Sequence, residues 1–228
     1  MSRARATHYR ARLKTIITCR HVIENHIVLY RSKFKNGRIH RKIIGEEIPE
    51  IGTTTSWIFH QDDNIDLAAC PVPEIKDSRD LCFSTEYFGN TDELYEGDEV
   101  FYFGFPLGVG AELATPHHPI LRTGSIAQKR ETDKFLIEAN VFPGSSGSPV
   151  FFQNDQESLR FIGILKSYIP YEDVAVSRQT GLVRVIFQEN SGLASVIDIK
   201  CVKEILDSPE FKGIADRIVE ATIEGIIK

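Results

Sequence analysis

The sequence predicts an all-β protein closed by a helical tail, and three observations carry that prediction. Short apolar or alternating runs rich in Ile, Val, Phe and Tyr recur as far as about residue 190. Turn formers punctuate them, such as Asn36-Gly37, Pro106-Leu107-Gly108 and Asn154-Asp155. Helical spacing emerges only after Asp198. Many short strands at fairly regular intervals imply a β-barrel or sandwich.

In chain order, strands are expected at 13–18, 26–30, 38–44, 57–60, 99–103, 135–138, 150–152, 159–165 and 182–187. Asp198 can then cap a helix that carries Ile199, Val202, Ile205 and Leu206 on one side. Ser208 offers a second cap, with Pro209 in the first helical position. Phe211, Ile214, Ile218 and Ala221 follow on one stripe, beside a second of Val219, Ile223 and Ile227. The tail is expected to lie on the barrel; the alternative is a helix that binds a partner or builds a homo-oligomer.

With 228 residues, 42% of them hydrophobic, the chain can bury a substantial core as one large domain or two small ones. The net charge of −5 and the lack of a recognition motif argue against nucleic acid as a partner. Charge is segregated, with basic stretches at 1–14 and 31–42 and an acidic one at 74–99, as solvated faces usually are. No run approaches the ~20 apolar residues of a membrane helix, and 13–18 is too short for the core of a signal peptide. Cys19, Cys70, Cys82 and Cys201 have neither paired nor metal-ligand spacing. They read as reduced core thiols, which fits the cytoplasm. No metal and no cofactor is expected.

The stretch "VFPGSSGSPVF" at 141–151 places Ser145 and Ser146 between glycines, with strand-forming residues on either side. It reads either as an ordinary turn or as a loop that presents a nucleophile. A serine nucleophile needs a base within hydrogen-bond reach, and the base needs a group to orient it. All seven histidines precede Ser145, which excludes the α/β-hydrolase order in which histidine follows serine. In "TIITCRHVIEN", His21 lies just beyond a strand of β-branched residues, where a rigid scaffold can hold it. In "DDNIDLAAC", Asp66 is followed by an apolar run and so is partly buried, whereas Asp62 and Asp63 fall in a polar turn.

Taken in order, "IITCRHVI", "NIDLAA" and "FPGSSGSPVF" resemble the three triad segments of chymotrypsin-fold (trypsin-like) serine peptidases, most closely the bacterial HtrA/Deg type. "EGDEVFYFGFPLG", "RTGSIA", "FIGILKS" and "SGLASVIDIKCVKEIL" also resemble segments of that family, so the similarity runs over about 13–206. It implies two perpendicular six-stranded barrels with C-terminal helices. Residues 1–90 would carry His and Asp, 91–196 would carry Ser, and 197–228 would form the helical tail. A PDZ module is not expected.

The resemblance further implies an endopeptidase acting on peptide or protein substrates. Ser146 would be the nucleophile, His21 the base and Asp66 the orienting acid, with the N–H groups of Gly144 and Ser146 as the oxyanion hole. The specificity pocket would involve Asn140, Val141 and Phe142, facing Leu165, Lys166, Ser167 and Tyr168. Without an Asp in that pocket, small or medium apolar side chains are expected before the scissile bond, and Lys166 is expected to be solvated at a strand edge. Ser145, uncharged, stands where zymogen-activated enzymes hold an Asp, so proteolytic activation is not expected. Ser148 replaces a usual glycine, and the Gly-Ser-Gly-Phe strand usual before the histidine is missing. A catalytically silent domain that binds peptides or proteins is the alternative.

Overall fold

The structure is a computed structural model. It describes residues 13–25, 29–33, 39–43, 47–48, 53–54, 57–73, 82–108, 119–129, 132–153 and 158–223. Residues 1–12 of the basic stretch, His26, His117, His118 and the expected Asn154-Asp155 turn lie outside them, as do residues 74–81 of the acidic stretch.

Among the described residues thirteen strands precede two C-terminal helices, with a short helix, α1 (Arg20–Asn25), after the first strand. The first half contains β1 (Leu13–Thr18), β2 (Leu29–Lys33), β3 (Ile39–Ile43), β4 (Glu47–Ile48), β5 (Thr53–Thr54), β6 (Ile58–Phe59) and β7 (Ala68–Pro73). Among the described residues they form a three-stranded sheet in the order β1-β7-β6 and two short antiparallel pairs, β2-β3 and β4-β5. β1 meets β7 along its whole length, from Leu13 opposite Pro73 to Thr18 opposite Ala68. That register sets the ends of β1 and β7 nearest His21 and Asp66 side by side.

The second half is a closed barrel. Its strands are β8 (Glu99–Gly104), β9 (Ile120–Gln128), β10 (Lys134–Glu138), β11 (Pro149–Gln153), β12 (Leu159–Val176) and β13 (Val183–Asp198), in the order β10-β13-β12-β11-β8-β9. Alternation explains the closure: along β8, Val100, Tyr102 and Gly104 are buried while their neighbours are more open. Val100, Tyr102, Ile126, Ile137, Val150, Ile162, Leu165 and Val196 join in one apolar cluster. β12 and β13 run far past the expected strands at 159–165 and 182–187, as the two sides of an exposed two-stranded extension.

The tail follows the expected caps. The Asp198 side chain accepts the Lys200 N–H at 2.8 Å at the start of α2 (Ile199–Asp207), and Ser208 Oγ accepts the Phe211 N–H at 3.2 Å at the start of α3 (Pro209–Ile223). Ile199, Val202, Ile205, Phe211, Ile214 and Ile218 are buried against Ile58, Leu67 and Ala69 of the first half and Phe151, Phe161 and Ile197 of the barrel. The helices are thus a joint that the two halves share. Burying an aliphatic side chain of this size contributes about 1.5–3 kcal/mol. Of the second stripe, Val219 is half-buried; the side chain of Ile223 and all of Ile227 lie outside the described residues.

Candidate active site

β1 ends at Thr18, Cys19 bridges, and His21 sits in the first turn of α1. The Arg20 N–H donates to the Asp66 carbonyl at 3.3 Å, so backbone alone ties α1 to residue 66. Asp66 is fixed between Ile65 and Leu67, both buried at the approach to β7. Its carboxylate holds His21 at two points. Oδ1 accepts the His21 backbone N–H at 3.0 Å, and Oδ2 lies 2.7 Å from ring Nδ1. An ionised carboxylate only accepts, so Nδ1 carries the proton and the lone pair of a neutral ring sits on Nε2. Asp62 and Asp63 are exposed, as expected; Asp63 takes Arg20 Nη1 at 2.8 Å.

The serine loop is held by backbone. Gly144 (φ +92°) and Gly147 (φ +84°) both adopt the left-handed region. A Cβ on Gly144 would strike the Phe105 carbonyl oxygen, and one on Gly147 would strike Thr18 Oγ1. The loop is therefore pressed against the end of β1, three residues before His21. Leu165 is the shared anchor: its carbonyl accepts the Gly147 N–H at 2.9 Å and the Cys19 thiol at 3.3 Å, while its N–H donates to the Ser148 carbonyl at 2.9 Å. Ser145 is fully buried with a hydroxyl that has no partner among the described residues, whereas Ser146 is partly exposed. Among the described residues, neither the Gly144 nor the Ser146 N–H donates to a backbone carbonyl. Ser148 is buried close to Gly104, where a small hydroxyl fits.

Three features were not legible in the sequence. Leu107 adopts φ 56° and donates its N–H to the Pro143 carbonyl at 2.7 Å, bracing the loop from behind. Such a conformation costs a non-glycine residue about 1–3 kcal/mol. Asn190 Nδ2 donates to the Val141 carbonyl at 2.5 Å, and its Oδ1 accepts the Gly192 N–H at 2.9 Å. Arg122 lies over the Phe142 ring at 5.5 Å from its centroid.

The expected pocket residues divide by exposure. Val141 and Leu165 are buried in the barrel core, with Tyr168 packed against the same cluster. Phe142, Lys166, Ser167 and Tyr168 are half-buried and Asn140 is exposed; the Asn140 carbonyl accepts the Tyr102 hydroxyl at 3.1 Å. Lys166 corrects an expectation. It is no solvated edge residue: its Nζ lies 3.9 Å from Asp66 Oδ2, drawn by the carboxylate that also holds His21.

The thiols divide too. Cys19, Cys70 and Cys201 are buried, Cys82 is exposed against expectation, and none is in a disulfide. Burial, then the nearby Asp66 charge, pushes the Cys19 thiol up to about 12, so Cys19 is no nucleophile at neutral pH despite standing beside His21. Among the described residues two groups have ligand atoms close enough to share an ion: Cys19, His21 and Asp66, and also His60, Cys201 and Glu204. In the second, His60 Nδ1 accepts the Asp62 N–H at 3.1 Å, so Nε2 bears the proton and donates to Glu204 Oε2 at 2.9 Å. That leaves no ring lone pair for a metal.

Comparison with known proteins bears on the fold and the family. An alanine variant of the HtrA-type protease AlgW, solved with a decapeptide, matches with a TM-score of 0.50 at 19% identity, over 87% of this chain and 48% of its own. The serine endoprotease from Yersinia pestis matches with a TM-score of 0.46 at 17% identity, over 87% of this chain and 55% of that one. The chain thus spans about half the length of these neighbours. No curated protein matches it. The model of the trypsin-like peptidase domain matches residues 6–164, which takes in His21, Asp66 and the serine loop. By that match, the chain belongs to the trypsin-like peptidase domain family.

Proposed function

We propose that the protein is a serine endopeptidase working through an acyl-enzyme. The observation that carries this reading is the two-point hold of Asp66 on His21, which leaves Nε2 able to accept a proton. In the proposed reaction Ser146 Oγ attacks the scissile carbonyl carbon while its proton passes to His21 Nε2. The carbonyl oxygen becomes an oxyanion facing the N–H groups of Gly144 and Ser146. His21 then protonates the leaving amine as the C–N bond breaks, giving the Ser146 ester. Water, deprotonated by His21, hydrolyses that ester and restores the serine. Asp66 stays ionised throughout and stabilises the imidazolium.

Substrate peptides would enter beside Phe142, Ser167 and Tyr168, with Asn140 rather than an acid at the pocket base. Small or medium apolar side chains before the scissile bond fit that lining, and a peptide library cleaved mainly after Arg or Lys would contradict it. The buried, uncharged Ser145 supports activity without proteolytic clipping, since no carboxylate waits there for a new amino terminus. The four thiols, none in a disulfide, fit a reducing compartment such as the cytoplasm. Among the described residues, no helix is long and apolar enough to cross a membrane.

One observation favours the second reading, a peptide-binding domain without chemistry. Lys166 shares Asp66 with His21, and a cation there competes with the imidazolium for the carboxylate. Incubation with an unstructured protein such as casein, read by mass spectrometry, separates the two. New peptide termini that vanish with Ser146→Ala support the endopeptidase. Binding without cleavage by correctly folded protein would replace it with the silent domain.

A further inference from the structure

Beyond the Pro170–Asn190 pair, the extension of β12 and β13 carries none of the site residues named above. Its Tyr171, Val174, Val176, Val185, Ile186 and Phe187 leave between 44% and 56% of their surface in water. A two-stranded hairpin is at best marginally stable alone, and exposed apolar ribbons with unpaired edges invite association. Register shows why the arm cannot hide its apolar residues by folding back. Val174 opposes Ile186, while Ala175 opposes Val185 and Asp173 opposes Phe187. Cross-strand partners share a face and successive residues alternate. Val174 and Ile186 therefore lie on one face, and Ala175, Val185 and Phe187 on the other. The arm therefore presents apolar residues on both faces.

Charge identifies the cover. The half nearer the barrel carries Glu172, Asp173 and Glu189, and the half nearer the tip carries Arg178 and Arg184, all of them exposed. Among the described residues neither arginine has an ion-pair partner, and Glu172 is met only by the neutral Gln188 amide at 2.7 Å. The arm is thus acidic at its base and basic at its tip. Two arms laid side by side in the same direction would set acid against acid. Laid antiparallel about a two-fold axis, each tip meets the other base, and the same patch serves both copies.

We propose that this arm is a self-association surface whose occupant is the arm of a second copy of the chain. The contact uses the face of Val174 and Ile186, which also carries Glu172 and Arg184, and is fixed in direction by Arg184 of each copy facing Glu172 of the other.

Sedimentation of the full chain over a concentration series tests this, with circular dichroism confirming the fold of each variant. Wild type should show a reversible monomer–dimer equilibrium, and Ile186→Asp, on the face that carries Glu172 and Arg184, should remove it. Arg184→Glu and Glu172→Arg should each weaken the dimer by about tenfold or more. The double variant Arg184→Glu with Glu172→Arg should recover much of the loss, because the reversed charges meet again across the axis. A wild type that stays monomeric at every concentration would overturn the proposal. So would a dimer indifferent to Ile186→Asp, or a double reversal as weak as the sum of its singles. If the arm variants stay monomeric like wild type yet bind casein more weakly, the arm serves extended polypeptide and the second-copy assignment is wrong.

Discussion

His21 and Asp66 are positioned by a carboxylate at the edge of a three-stranded sheet, whereas the Ser146 loop is positioned by backbone on a closed barrel. One side of the site depends on two oxygen atoms. The other depends on two left-handed glycines and the hydrogen bonds that join Gly147 and Ser148 to Leu165. The halves should therefore fail differently: a side-chain change should abolish chemistry while sparing the fold on the first, and even one methyl should disturb geometry on the second.

The largest effect belongs to the carboxylate. Asp66→Asn keeps the shape of the side chain but offers an amide to His21, which disturbs the tautomer and weakens the imidazolium. A fall in kcat of about 10⁴ is expected, with the melting temperature almost unchanged. A loss under tenfold in a kinetic assay would show that another acid orients His21. On the barrel side, Gly144→Ala forces a Cβ toward the Phe105 carbonyl and turns the peptide whose N–H should face the oxyanion. Losing one such donor costs about 10²–10³ in kcat. Unchanged kcat in the alanine variant would place the oxyanion hole elsewhere.

Smaller effects sharpen the contrast. Lys166→Met removes a cation 3.9 Å from the Asp66 carboxylate, at 29% side-chain exposure of the lysine, so screening keeps the effect small. A pair of that kind contributes about 0–1 kcal/mol, which corresponds to a rise in kcat of up to about fivefold. A large loss would mean that Lys166 binds substrate instead. Ser145→Ala should be the mildest change, because among the described residues its buried hydroxyl has no partner. Steady-state rates within about threefold of wild type are expected, since removing an unsatisfied buried hydroxyl is nearly neutral. Equal loss in Ser145→Ala and Ser146→Ala would undo the assignment within the pair.

What could be read from the chain follows the range of the forces involved. The β-branched run at 13–18, the alternation at 99–103 and the caps Asp198 and Ser208 are local signals, and the structure repeats them. His21 and Asp66 were legible because each is flanked by strand or core residues. Lys166 was not, because an edge lysine looks alike whether or not a carboxylate from another strand waits within 4 Å. The bracing by Leu107 and Asn190 was hidden for the same reason: each bonds a backbone carbonyl far along the chain. The length of β12 and β13 was masked because an exposed hairpin has polar and apolar residues on both faces, so no single period marks it.

The central claim is that Ser146 is an activated nucleophile served by His21. A fluorophosphonate probe reads this most directly, since it reacts covalently with an activated serine and needs no knowledge of the substrate. After incubation, the modified peptide is mapped by mass spectrometry. The account predicts a single adduct on Ser146 in wild type, lost in His21→Ala and strongly reduced in Asp66→Asn. Folded wild-type protein that takes up no probe, or carries it on Ser145, would contradict it.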